Sequence, residues 1–204
     1  MNQKIKFLLI TIFLLLGLNV LNLSANEKIH RIEILVNDKI ITNYDILQRL
    51  RIFSILNRVI IDESNYSNIN RRVVNNLIDE KLQKEAMLEY KISLNSQEKE
   101  YYEENYFVNY NLTKETAFNI MIENNIDVSV LREMIYTQIG WDKLISGLYY
   151  RTISISDVEI DELLKSNPSL NEEEAKNIIK TKQIKLKSNK LLRDMRSEAT
   201  IEQR

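Results

Sequence analysis

Apolar side chains recur every three or four residues along most of this chain, and this spacing constrains its fold more than any other feature. In one stretch, Val74, Ile78, Leu82 and Ala86 form a single stripe. Such a stripe is typical of a helix that buries one face and leaves the other in water. The pattern therefore predicts several amphipathic helices that pack around a common core.

Side chains that cap helices divide this pattern into segments, and a short alternating segment precedes them. Ile32, Ile34 and Val36 alternate with polar residues ahead of Asn37-Asp38, which predicts a β-hairpin over residues 29–42. The predicted helices cover residues 43–58, 69–90, 96–106, 113–124, a long segment from 127, 156–165 and 172–198. Residues 199–202 are predicted as a short strand. The expected fold class is mainly α, with a small hairpin.

Three scarcities exclude large classes of chemistry. The chain has no cysteine, so disulfides, thiolate nucleophiles and cysteine-ligated metals are excluded. It has one histidine, His30, and three separated glycines, which cannot build a His₂ metal site or a phosphate-binding loop. A net charge of −1 offers no electrostatic footprint for nucleic acid. We therefore predict no cofactor, no metal, no nucleic-acid partner and no enzymatic activity.

The N-terminal segment is typical of a secretory signal. Lys4 and Lys6 precede an apolar run over residues 7–21, and Ser24 and Ala25 offer a cleavage site. The run is short for a membrane span, which needs about 20 residues. Leu23 fits the cleavage pattern poorly, so an uncleaved anchor is the alternative. Cleavage after residue 25 would leave 26 basic and 29 acidic residues and an exported, periplasmic protein.

Acidic and aromatic clusters are the remaining candidates for a site. Residues 98–104 and 172–174 hold glutamates that could bind a cation, but helix N-termini attract the same residues. Residues 101–110 hold five Tyr and Phe side chains. Large aromatic side chains suit a surface that binds apolar peptide, and core packing is the alternative.

Six segments, in this order, carry a resemblance to a known family. They are residues 36–42 (VNDKIIT), 72–80 (RVVNNLIDE), 112–113 (LT), 131–144 (LREMIYTQIGWDKL), 155–161 (ISDVEID) and 191–201 (LLRDMRSEATI). This succession resembles the N-terminal chaperone domain of the SurA family of periplasmic folding factors. The resemblance implies that the C-terminal helix and strand return to complete the N-terminal core.

The chain departs from that family at one place. Family members usually carry parvulin prolyl-isomerase domains before the closing helix, whereas here only a short linker around Pro168 occupies that position. The resemblance thus divides the chain into a signal at 1–25, a chaperone-like domain at 26–165, a linker at 166–171 and a returning helix and strand at 172–204. One histidine and three glycines cannot supply a parvulin site, so isomerase activity is not expected.

The resemblance implies an ATP-independent chaperone that binds unfolded secreted or outer-membrane proteins through an apolar groove. Such a protein assists outer-membrane protein assembly and acts as a monomer, or as a dimer if its sheet edges stay uncovered. The alternative is a helical adaptor at the translocon exit, held at the inner membrane by an uncleaved N-terminus. The candidate groove residues are Tyr102, Tyr106, Phe107, Met121, Met134 and Trp141. For Trp141 and the methionines, core packing is the alternative.

Overall fold

A β-hairpin opens the part of the chain that the computed structural model describes, residues 31–204. Strand β1 (Ile32–Val36) pairs antiparallel with β2 (Lys39–Thr42). Asn37 turns the chain with a φ of 53°, a left-handed conformation that asparagine tolerates well. The predicted hairpin is confirmed over these residues. The predicted signal at 1–25 and His30 lie outside the described residues.

Seven α-helices follow in the described part of the chain, and they confirm the mainly helical fold class. They are α1 (Asn43–Asn57), α2 (Tyr66–Glu89), α3 (Ser96–Tyr106), α4 (Lys114–Glu123), α5 (Val128–Tyr149), α6 (Asp157–Ser166) and α7 (Glu172–Glu198). Two 3₁₀ turns, Phe107–Tyr110 and Tyr150–Thr152, extend α3 and α5.

Local capping sets most of these helix boundaries. Full capping boxes join Thr42 to Asp45, Asn95 to Glu98, Ser156 to Glu159 and Asn171 to Glu174. Glu98 and Glu174 thus cap helix N-termini, which is one of the two interpretations given above for the acidic clusters. Helix α2 begins at Tyr66, three residues before the predicted start at Ile69. The prediction missed the first turn because that turn is polar and carries no apolar stripe.

The C-terminal segment returns to the start of the fold, as the sequence resemblance implies. Helix α7 packs against α2 and α5, and β3 (Ile201–Gln203) pairs antiparallel with β1. The strand order is β2-β1-β3, so β3 covers the edge of β1 that β2 leaves free. The Arg196 guanidinium also donates to Asp79 at 2.8 Å, joining α7 to α2.

The core consists of adjoining apolar clusters. One joins the hairpin to α1 and α2, and a second joins α1 to α4 and α5 around Phe107 and Met121. A third packs the C-terminal half of α7 on α2 and α5. A small fourth cluster joins α6 to the N-terminal half of α7. Within residues 31–204, no helix combines the length and the apolar character that crossing a bilayer requires.

Candidate functional site: a cavity between four helices

Four helices surround a cavity of about 720 Å³, which lies within the usual size range of ligand sites. Helices α1, α2 and α5 form three sides, and the C-terminal half of α7 forms the fourth. Tyr106 and Tyr110 reach it from the end of α3 and the 3₁₀ turn that follows. The cavity therefore depends on the return of the C-terminal helix to the body of the fold.

Apolar and aromatic side chains line the cavity in two layers. The deeper layer includes Ile52, Val73 and Ile145, each at most 1% exposed. The outer layer consists of six side chains that are only partly buried and stay accessible from the cavity: Phe53, Tyr106, Tyr110, Met134, Ile184 and Leu192. Aromatic rings and methionine bury much apolar area and adapt to partners of different shape.

Uncharged polar side chains line the same cavity. Six of them make no side-chain hydrogen bond to another described residue: Asn76, Gln83, Gln138, Ser146, Thr181 and Asn189. Amide and hydroxyl groups both donate and accept hydrogen bonds, and so does a peptide group. The cavity thus offers an apolar surface together with free partners for a peptide backbone.

A buried ion pair forms part of the wall between α1 and α2. The Arg49 guanidinium donates to both carboxylate oxygens of Glu80, over 2.8 and 2.7 Å. Desolvation raises the pKa of the Glu80 carboxyl even though Arg49 counteracts it. Burial also raises the pKa of Tyr106, whose hydroxyl contacts Tyr110. Because the charges of Arg49 and Glu80 compensate each other, this wall carries little net charge.

Two further carboxylates face the cavity from α2 and α5. Asp79 is held by Arg196, but desolvation still raises its pKa. Asp142 is open to solvent, yet it lies in the concave surface, and desolvation raises its pKa as well. Asp142 forms no ion pair within residues 31–204.

Three of the six predicted groove residues line this cavity: Tyr106, Met134 and Trp141. Tyr106 and Met134 are partly buried. Trp141 is 4% exposed, and its Nε1 donates to Ser188 Oγ on α7 at 2.9 Å. Trp141 therefore supports the cavity wall more than it presents a surface.

The structure does not bring the other three predicted residues to the cavity. Phe107 and Met121 are fully buried in the cluster between α1, α4 and α5, where Phe107 packs edge-on against Phe118. Phe107 lies one helical turn after the buried Glu103 and faces the core on the same side. Tyr102 lies on the outer surface of α3, with its ring against Tyr101. A groove built on all six residues is therefore not what the structure shows.

The side chains from α1 and α7 were not among the sequence candidates. Phe53 on α1 and Ile184 and Leu192 on α7 line the cavity. The apolar face of α7 was visible in its sequence, but nothing there showed which helices it would meet. The pairing of Arg49 with Glu80 across 31 residues gave no sequence signal either.

A second buried carboxylate, Glu103, lies outside the cavity and is fully partnered. It accepts from Tyr136 and from Arg132 Nε at 3.0 Å, and Lys114 lies 3.4 Å away. Burial alone would raise its pKa, but these donors outweigh burial, so the pKa is lowered. Desolvation and Glu103 together raise the pKa of Tyr136 to about 12. This network joins α3, α4 and α5 and leaves no group free for chemistry.

The described residues contain no group of three or more His, Cys, Asp or Glu side chains arranged to hold a metal ion. Comparison with protein-family models finds no match for the chain, and no curated protein matches it either. The geometry of the cavity is therefore the main evidence about function.

Proposed function

We propose that the protein is an ATP-independent chaperone that holds unfolded polypeptides in the cavity between α1, α2, α5 and α7. One observation carries this proposal. The cavity combines partly buried apolar side chains with six amide and hydroxyl groups that have no partner among the described residues. An extended polypeptide complements both features. Its side chains are often apolar and can pack on the apolar lining, and its backbone groups donate and accept hydrogen bonds with the amides and hydroxyls.

The side chains that line the cavity suit the binding of many different clients better than the binding of one specific sequence. Met134 and the two tyrosines adapt to different side chains, and amide groups pair with any peptide backbone. Binding the unfolded state lowers the concentration of free, aggregation-prone chain by mass action. The protein then needs neither a nucleotide nor a catalytic group, and release is simple dissociation.

The sequence resemblance supports the same function and suggests its location. A SurA-like chaperone acts in the periplasm on unfolded outer-membrane proteins, and the signal-like N-terminus fits export. Clients of this class cross the inner membrane unfolded and expose apolar segments that aggregate. We propose such polypeptides as the partners.

Aggregation during dilution from denaturant tests this function. An unfolded outer-membrane β-barrel protein is diluted into ATP-free buffer with an equal amount of the purified protein, and light scattering is recorded. We expect scattering to fall as the protein is added. Unchanged scattering from a folded, soluble preparation would contradict the proposal and favour the adaptor at the translocon exit.

A variant that fills the cavity assigns the activity to this site. Gln138 is exposed and lines the cavity, so Gln138→Trp occupies its space without removing core contacts. Gln97 is exposed on α3 and does not line the cavity, which makes Gln97→Trp a matched control. We expect Gln138→Trp to lose most of the suppression and Gln97→Trp to keep it. Equal suppression by both variants would place client binding elsewhere.

A further inference from the structure

The middle of α7 concentrates positive charge in a chain whose overall charge is almost neutral. Residues 175–193 contain seven lysine and arginine side chains and no acidic residue. The whole chain carries a net charge of −1, so the remaining residues carry −8. Apolar side chains make most of the contacts of α7 with α2 and α5, so most of this charge is not needed for the fold.

One outward face of the helix carries most of this charge. Lys182, Leu186, Lys190 and Arg193 follow one another at intervals of three or four residues, with Lys187 beside them. All five are exposed, and Leu186 is 59% exposed in the middle of the cations. Lys182, Lys187 and Arg193 form no ion pair within the described residues.

We infer that this outward face of α7 docks the protein on an anionic phospholipid bilayer. Lys190 pairs with Asp194 at 2.6 Å, so three unpaired cations on this helix face match a surface of lipid phosphates, and each adds about fivefold to binding near such a surface. Leu186 lies where an interfacial helix inserts apolar side chains between headgroups. The inference does not depend on the cavity, because these side chains point away from it and none lines it.

The same features favour a bilayer over nucleic acid. An exposed leucine gains by entering the headgroup region, whereas a phosphate backbone in water offers it nothing. The five residues of the face include no aromatic side chain on which a base could stack. A bilayer also contacts only one face of the molecule, so the acidic residues on the other faces stay away from the negative lipid headgroups.

Vesicle sedimentation tests this inference with the protein expressed from the full-length chain. Binding is compared between vesicles of phosphatidylcholine and vesicles that also contain phosphatidylglycerol, at low salt and at about 1 M salt, where screening shortens the Debye length to ~3 Å. We expect binding to the anionic vesicles alone, and its loss at high salt. The N-terminal segment is the same in every variant, so the comparison between variants isolates the outward face of α7.

Substitutions on the outward face separate it from other charges. Lys182→Gln, Lys187→Gln and Arg193→Gln together are expected to weaken binding about 100-fold, since glutamine keeps helix propensity. A control variant removes the same charge elsewhere through Arg71→Gln, Arg151→Gln and Lys165→Gln, and should lose much less. Leu186→Gln is expected to cost about tenfold.

Three results would overturn the inference. They are equal binding to both kinds of vesicle, equal loss in the two triple variants, and preferential binding of the outward face to a duplex oligonucleotide instead of the anionic vesicles. An unchanged circular dichroism spectrum and urea unfolding curve show that the outward-face variant is folded, and this control does not depend on the proposed chaperone function.

Discussion

Glu103 shows how a single buried charge depends on its partners. Its three donors come from α4 and α5, and they lower its pKa against the effect of burial. Replacing it by glutamine removes the negative charge that Arg132 and Lys114 face and leaves one acceptor oxygen for its three donors. We expect Glu103→Gln to lower the free energy of unfolding by about 1–3 kcal/mol at neutral pH, measured by urea denaturation.

The loss of unfolding free energy in Glu103→Gln should depend on pH in a defined direction. A lowered pKa in the folded state gives stability that is complete above the ordinary value of 4.5 and is lost as the pH falls through the folded value. Wild type and Glu103→Gln should therefore converge in acid. Glu104→Gln removes an exposed neighbour and should change little at any pH. A difference that stays constant into acid would contradict the assignment.

The contribution of Asp142 to stability should change with pH in the opposite direction to that of Glu103. Desolvation raises its pKa, so the wild-type protein loses stability as the pH rises from 3.8 through the folded value. Asp142→Asn removes this cost and is expected to raise stability at neutral pH by about 0.5 kcal/mol or less, because the side chain is open to solvent. Thermal unfolding at neutral and acid pH checks the sign, and a variant less stable than wild type at neutral pH would contradict it.

At the scale of helices, Gly140 lies where α5 approaches Met87 of α2. A Cβ at this position would overlap Met87 Cε and lie 2.9 Å from its Sδ. These atoms end a flexible, partly buried side chain that can shift, so Gly140→Ala is expected to destabilise the protein by about 1 kcal/mol or less. Gly147 lies on the same helix, and a Cβ there meets nothing within 4 Å, so Gly147→Ala should stabilise by about 0.5–1 kcal/mol.

A double-mutant cycle isolates the contact. The cost of Gly140→Ala should disappear when Met87 is shortened by Met87→Ala, because the overlap is then gone. Unfolding free energies of the four proteins in urea give the coupling. Additive effects of the two substitutions would show that Met87 does not limit this position.

The starts of most helices could be predicted because their signals are local. Thr42, Asn95 and Ser156 each cap the helix that follows them, and these contacts span only three residues. The orientation of single side chains could not be predicted in the same way. Phe107 ends a tyrosine-rich helix that is mostly exposed, and its ring enters the core on the same face as the buried Glu103, a charged residue that gave no sequence sign of a buried face.

At the scale of the whole molecule, the cavity joins residues that are far apart in the sequence. Phe53 and Leu192 line it from α1 and α7, and the return of the C-terminal segment brings them together. The sequence predicted both helices and the apolar face of α7, but it carries no information on which faces meet. Half of the candidate residues therefore lie elsewhere, while the mainly helical fold is confirmed.

Site-specific photocrosslinking tests the central claim most directly, because the chain has no cysteine of its own. A single cysteine is introduced by Gln138→Cys in the cavity or by Gln97→Cys on α3, and each is labelled with a benzophenone. Illumination with an unfolded outer-membrane protein should crosslink the client from position 138 and not from position 97. Equal crosslinking from both positions, or crosslinking from position 97 alone, would contradict client binding in the cavity.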